Sequence, residues 1–210
     1  MTAQPRPTVA VFDFDGTLTI KDSFLPFLYW THGRMRGNLK LLPAIFSMLA
    51  YLFNAVSNQH IKERLLTRFY QDWSIAKLQL AASAYAREYL PKLINPAALE
   101  RLHWHRQQGH QIYVVSANLE IYLKPWAAQM GIEHLLATRL VVLEEKITGK
   151  IQGKCCYGPE KLARLQTLLG SLQDYCLFVY GDSRSDREIL AVADHPYYRL
   201  FTANRGLWIH

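Results

Sequence analysis

Cysteine is scarce in this chain. The 210 residues contain only Cys155, Cys156 and Cys176. An odd number with two adjacent excludes a disulfide framework and fits thiols kept reduced in a cytoplasmic setting. The adjacent pair also lacks the spacing of a Cys-x-x-Cys metal or redox site. Histidine offers no ligand set either, because His103 and His105 stand two apart on a predicted helix and face different ways. No apolar run reaches the ~20 residues that a bilayer-spanning helix needs. The run from Leu41 to Phe53 has Ser47 as its only polar side chain, and Pro43 interrupts it. No dense basic tract, nucleic-acid motif, internal repeat or low-complexity segment occurs, so no nucleic-acid partner is expected. Met1 to Pro7 carries no apolar signal core, and a short disordered leader is expected there.

Half of the residues are hydrophobic and a fifth are charged, as in a folded globular chain long enough for one core plus an insertion. Lys and Arg number 24 against 17 Asp and Glu, a formal charge of +7 that suits anionic substrates or an anionic surface without selecting between them.

The stretch around which the chain is organised is Val9-Ala10-Val11-Phe12-Asp13-Phe14-Asp15-Gly16-Thr17-Leu18-Thr19. Val9 to Phe12 reads as a buried strand. A strand ending in Asp-Phe-Asp-Gly puts acids at the carboxyl edge of a sheet, where open α/β sheets bind ligands. Asp13 and Asp15 share a side of an extended backbone, because side-chain direction repeats every two residues. Two like charges so close ask for a cation or a shared proton.

From Ile20 to about Asn95 no strand-like alternation occurs. Phe24, Leu25, Phe27, Leu28 and Trp30 open a helical block. Ile61, Leu65 and Phe69 continue it, then Leu78, Ala82 and Tyr85. From Pro96 the pattern alternates. A helix around Leu99 and Leu102 is stopped by Gly109, and a strand over Ile112 to Val115 ends at Ser116. A helix from Leu119 to Met130 is stopped by Gly131. Leu140 to Leu143 and Lys146 to Ile151 suggest a strand and a small hairpin around Thr148-Gly149. A helix runs through Leu162, Leu165, Leu169 and Leu172, and a strand from Tyr175 to Tyr180 leads into Gly181-Asp182. A helix over about Asp186 to Val192 and a strand near Tyr197 to Phe201 close the set. Strands alternating with helices at these lengths predict an α/β fold, a parallel sheet covered by helices.

In such a sheet Asp13 and Asp15, Ser116, and Asp182 with Asp186 all follow strand ends and can converge on one edge, with Lys161 reaching in from a helix start. Phosphate-ester hydrolysis needs these groups. A carboxylate can attack phosphorus, and a second carboxyl can protonate the leaving oxygen and then activate water. Mg²⁺ prefers oxygen ligands and offsets the repulsion between an anionic nucleophile and an anionic ester. A lysine and a hydroxyl can hold the remaining phosphate oxygens.

These residues carry a resemblance. Asp13-Phe14-Asp15-Gly16-Thr17-Leu18-Thr19 is similar to the first motif of the haloacid dehalogenase-like hydrolases, in their phosphatase branch. Ser116 after Ile112-Tyr113-Val114-Val115, Lys161, and Gly181-Asp182-Ser183-Arg184-Ser185-Asp186 resemble the second, third and fourth motifs. The resemblance implies a Rossmann-like three-layer core of residues 1–19 and 96–210. Residues 20–95 would form an inserted helical cap like that of the phosphoserine phosphatase-like subgroup. It implies Asp13 as nucleophile and Mg²⁺ ligand, and Asp15 as general acid/base with its backbone carbonyl on the metal. Thr17, Ser116 and the backbone N–H groups near Phe14 and Ala117 would bind phosphate, with Lys161 pairing to phosphate and nucleophile. Asp182 would bind Mg²⁺, with Asp186 as a further ligand or orienting a water. In phosphoserine phosphatases an acidic residue after the first motif and a cap arginine recognise the amino acid. Asp22 falls near the first of these positions, and Arg64 or Arg68 can fill the second. Ala117 and Asn118 stand where those enzymes usually have glycines.

The expected activity is a Mg²⁺-dependent phosphomonoesterase acting on a small phosphorylated metabolite, phosphoserine-like or histidinol phosphate. Two alternatives stand beside it. The Leu41 to Phe53 run, with Arg34, Arg36 and Lys40 nearby, could rest on an anionic membrane surface and bring a lipid phosphate such as phosphatidylglycerophosphate to the site. A phospho-accepting signalling domain also uses clustered acids, Mg²⁺ and a lysine, but gives no reason for Asp15 or for so long an insertion. The sequence carries no signal for the oligomeric state.

Overall fold

A computed structural model describes residues 6–41 and 57–201. Strand β1 (Thr8–Phe12) lies at the centre of a five-stranded sheet. Its neighbours are β2 (Gln111–Leu119) and β6 (Cys176–Gly181), and β3 (His134–Thr138) and β7 (His195–Tyr198) form the edges. Every pairing is parallel. The two-residue alternation of β1 explains how both faces are buried. Ala10 and Phe12 join one apolar cluster with Ala98, Leu102, Leu123 and Trp126. Val9 and Val11 join the other, with Leu165, Leu177, Val179 and Ile189. Helices α5 (Pro96–Gln107) and α6 (Glu120–Gln129) supply the first cluster; α7 (Pro159–Leu169) and the short α8 (Arg187–Leu190) supply the second. The architecture is therefore a Rossmann-like α/β sandwich.

Between β1 and α5 the described chain is helical: α1 (Phe24–His32), α2 (Arg34–Leu41), α3 (Asn58–Tyr70) and α4 (Ile75–Glu88). Ser57 and Ser74 accept backbone N–H groups of the first turns of α3 and α4, which fixes where those helices begin. Two antiparallel backbone bonds bring the ends of this segment together. Ile20 N donates to Leu93 O at 2.8 Å and Asn95 N to Leu18 O at 2.9 Å. Phe27, Tyr70, Tyr85 and Tyr122 pack their rings together between the segment and α6. Residues 42–53 of the apolar run lie outside the described residues, as does most of the expected leader. No helix among the described residues is long and apolar enough to cross a membrane.

Several local expectations need revision. The hairpin of β4 (Leu140–Leu143) and β5 (Lys146–Ile151) turns at Glu144-Glu145 rather than at Thr148-Gly149. Both glutamates take positive φ, 48° and 61°, as a type I′ turn requires. Gly149 instead lies within β5 at φ 80°, where a Cβ would run into the Thr67 backbone of α3. Strand β3 is short, and the sequence pattern gives no strand there. Strand β2 continues past Ser116 to Leu119, β7 begins two residues before Tyr197, and the helix expected over 186–192 is a 3-10 turn at Arg184–Asp186 followed by α8. Leu172 falls in a separate 3-10 turn, Leu172–Asp174.

Candidate active site

The carboxyl ends of three adjacent strands meet at one point. Asp13 follows β1 and its N–H donates to Tyr180 O of β6 at 2.9 Å. Ser116 lies two residues past Val114, the partner of Phe12 in β2. Asp182 follows β6. Carboxylate oxygens of Asp13, Asp182 and Asp186 lie within 4.8 Å of one another. Lys161, in the first turn of α7, is buried between two of them. Its Nζ donates to Asp13 Oδ1 and to Asp186 Oδ1, each at 2.6 Å.

Glycines permit this crowding. Gly16 sits at φ 75°, and any Cβ there would overlap the Asp182 carboxylate. A Cβ at Gly181 would come 2.6 Å from Asp186 Cβ. The chain between β1 and α1 therefore wraps the carboxylates so closely that only backbone fits.

The three acids are held differently. Asp186 is fully engaged: its Oδ2 accepts from Asp182 N at 3.2 Å, Ser183 N at 3.0 Å and Ser183 Oγ at 3.1 Å, and its Oδ1 takes Lys161. Asp13 has Oδ1 on Lys161, while no side-chain bond to the Asp182 carboxylate is seen among the described residues. Three carboxylates against one ammonium leave a formal charge of −2. Hard oxygen donors with that surplus fit a divalent cation such as Mg²⁺.

Burial and charge set the proton affinities. Burial, with Asp186 adding to it, pushes Asp13 up to about 7 against the pull of Lys161. Burial and Asp186 also raise Asp182. Burial works against the Lys161 charge, but Asp13 and Asp186 more than offset it and hold its pKa above the usual lysine value. Asp15 is not one of the trio. Its Oδ2 accepts from Ser23 N at 3.1 Å, and burial, then the nearby Asp22, raise it to about 6. Thr17 Oγ1 is buried without a hydrogen-bond partner among the described residues. Ser116 Oγ accepts from Asn118 N at 3.1 Å.

The structure thus gathers Asp13, Lys161, Asp182 and Asp186 at the strand ends, with Asp15 and Thr17 in the turn Phe14–Leu18 after β1 and Ser116 and Ala117 in the last part of β2. Asp22 is exposed and accepts from Leu25 N at 2.9 Å, opening α1. Arg64 and Arg68 are exposed on α3. The cation of α3 that reaches the strand ends is Lys62, buried at 8% exposure, whose Nζ donates to Ala117 O at 2.7 Å. Sequence reasoning missed it, although its position was readable. Lys62 stands three, four and seven residues before Leu65, Leu66 and Phe69, on the buried face of the helix. Asn118 was also missed as a site group; its Nδ2 donates to Ser23 Oγ at 3.0 Å, beside Asp15.

A buried lysine clamped by carboxylates stands at the strand ends of a doubly wound parallel sheet, where α/β enzymes carry their sites. Over residues 10–191 the sequence matches the family model of the haloacid dehalogenase-like hydrolases, and the chain belongs to that family. Among its relatives, Protein CicA of Caulobacter vibrioides is 35% identical over 200 residues, 93% of this chain and 87% of that protein. A probable phosphatase of Mycobacterium tuberculosis is 28% identical over 212 residues, 98% of this chain and 72% of its own length. The fold is shared with a Bordetella pertussis protein of unknown function, with TM-score 0.76 and 22% identity, covering 90% of this chain and 87% of that one. It is also shared with phosphoserine phosphatase, with TM-score 0.60 and 18% identity, covering 90% and 84%.

Proposed function

We propose that this hydrolase is a Mg²⁺-dependent phosphatase that cleaves a phosphomonoester of a small metabolite through an aspartyl-phosphate on Asp13. The observation that carries the reading is the Lys161 ammonium held between Asp13 and Asp186 with Asp182 beside them. The likeness to a probable phosphatase and to the phosphoserine phosphatase fold supports it.

Asp13 attacks phosphorus with the oxygen that Lys161 does not hold. The bond to the leaving oxygen breaks, and Asp15 donates its proton there. A pKa of about 6 keeps a fraction of Asp15 protonated near neutral pH, as a general acid requires. Water then attacks the phosphorus of the acyl phosphate and gives a proton to Asp15, and orthophosphate leaves with the Asp13 carboxylate restored. Thr17, Ser116 and Lys161 hold phosphate oxygens while charge shifts among them. Mg²⁺, held by Asp13 and Asp182 with Asp186 adjacent, would keep Asp13 ionised and lower its repulsion from the ester. The helical segment 20–95 acts as a cap that keeps bulk water out and reads the leaving group.

Asp13→Asn keeps the shape and removes the nucleophile. It should abolish Mg²⁺-dependent release of phosphate from an aryl phosphate, measured as orthophosphate. Retained turnover would remove Asp13 from the role. Transfer of phosphate to wild-type protein without subsequent hydrolysis would favour a phospho-accepting domain.

A further inference from the structure

Lys62 has an unusual set of partners for a buried cation. Its Nζ donates to Ala117 O at 2.7 Å, lies 3.9 Å from Cys155 Sγ, and stands 5.2 Å from the centroid of the Phe24 ring. No carboxylate pairs with it among the described residues. The Ala117 carbonyl is also held by Thr138 Oγ1 at 2.8 Å. That carbonyl belongs to the Ala117–Asn118 peptide, whose N–H donates to Ser116 Oγ at 3.1 Å. The Asn118 side chain donates in turn to Ser23 Oγ at 3.0 Å, and Ser23 N donates to Asp15 Oδ2 at 3.1 Å. One cation on α3 therefore grips the peptide that ties the Ser116 hydroxyl to the Asp15 carboxyl.

We propose that Lys62 is a positioning residue that couples α3 to the Ser116–Asn118 peptide and sets the Ser116 hydroxyl for phosphate. The inference rests on the phosphatase reading above. A positive charge on a peptide oxygen polarises that peptide and strengthens the bond its N–H makes. The Asn118 N–H occupies a lone pair of Ser116 Oγ, so the serine proton is left to point outward as a donor. An anion in the site meets a donor already aligned, and the charge comes from the helical segment rather than from the sheet. Presence of the segment over the site and readiness of the phosphate loop are thereby one event.

The test compares Lys62→Met and Lys62→Arg with wild type on two Mg²⁺-supported substrates, an aryl phosphate and a phosphomonoester with a carboxylated alcohol. In K62M kcat should fall about 10- to 100-fold on both esters, the cost of a misaligned group. KM should stay within about threefold. K62R should recover most of the loss. Hydrogen exchange of the Asn118 amide, read with no substrate present, should quicken in K62M and not in K62R. Thr138→Val, which removes a second oxygen- or nitrogen-based side-chain donor to the same carbonyl and leaves the longer Cys155 Sγ contact at 3.8 Å, should show a smaller change of the same kind and decides the matter where K62M does not fold. Unchanged kcat, or unchanged exchange at Asn118, overturns the proposal. A loss confined to KM for the carboxylated ester makes Lys62 a substrate contact instead. Wild-type inactivity on both esters defeats the phosphatase reading, and the Asn118 exchange then decides the coupling by itself.

Discussion

The Thr17 hydroxyl is buried and has no hydrogen-bond partner among the described residues. A buried hydroxyl left unpaired costs ~1–3 kcal/mol, and under the proposed function a phosphate oxygen would satisfy it during turnover. Thr17→Val replaces the hydroxyl with a methyl at nearly constant shape. The variant should unfold at higher denaturant, by about 1 kcal/mol, while losing roughly 10- to 100-fold in kcat for phosphate-ester hydrolysis. Equilibrium urea unfolding and phosphate release check the two arms, and a variant that is both less stable and fully active would contradict the assignment. At this scale the site was largely legible. Asp13, Asp15, Lys161, Asp182 and Asp186 stood at strand ends or a helix start, where polarity is unexpected beside apolar runs. The spacing of Lys62 with Leu65, Leu66 and Phe69 puts it on the buried helix face but does not give its role, because a lysine on such a face also reads as one whose stem snorkels to water. Only the fold shows its ammonium turned inward to the Ala117 carbonyl.

Between elements, two contacts decide how the helices seat on the sheet. Gly149 of β5 lies against Thr67 of α3 at φ 80°, so Gly149→Ala meets both an unfavourable backbone region and a backbone clash. The variant should lose at least ~1–3 kcal/mol in unfolding free energy, and exchange should quicken first in α3 and β5. The sequence placed this glycine in a turn. It could not show that the turn is made by Glu144-Glu145, since two non-glycine residues at positive φ are a choice of the assembled hairpin rather than of local propensity. The second contact is behind the sheet. His105 of α5 is fully buried, with Nε2 2.9 Å from Tyr180 Oη and Nδ1 2.7 Å from His110 Nδ1. Burial, with His110 and Arg101 adding like charge, lowers its pKa to about 3. The unfolded chain, with histidine near ~6.5, binds a proton that the folded chain refuses between these values. Stability from His105 is therefore present above about pH 6.5 and is lost as pH falls toward 3. Asp13 and Asp15, both raised, act oppositely, since the folded chain holds their protons more tightly and gains stability as pH falls from about 7. Comparison with His105→Gln isolates the histidine. The wild-type advantage over the variant should shrink by about 2 kcal/mol from pH 7 to pH 5 in chemical denaturation. An advantage independent of pH would mean that His105 titrates normally.

Taken as a whole, the molecule separates what holds it together from what it does. The two apolar clusters lie on either face of the sheet, and the charged centre occupies only the strand ends. The surplus negative charge of the centre works against stability. Asp13, Asp182 and Asp186 carry two more negative charges than Lys161 balances, and the raised Asp182 shows that its ionised form is disfavoured where it sits. A divalent cation that binds the folded chain alone should therefore stabilise the whole molecule by mass action, ~2.7 kcal/mol at a hundredfold excess over its Kd. For a chain of this length that corresponds to a rise in melting temperature of about 5–10 °C. Asp182→Asn removes one of the uncompensated charges together with a metal ligand. In chelator-treated protein the variant should melt above wild type by the equivalent of about 1 kcal/mol, and added Mg²⁺ should then raise wild type past it while leaving the variant almost unmoved. Turnover should be lost in the variant at every Mg²⁺ concentration. Equal Mg²⁺-induced shifts in the two proteins would place the cation elsewhere, whereas crossing melting curves locate it at the strand ends and show that the repulsion among the acids is maintained for the ion that relieves it.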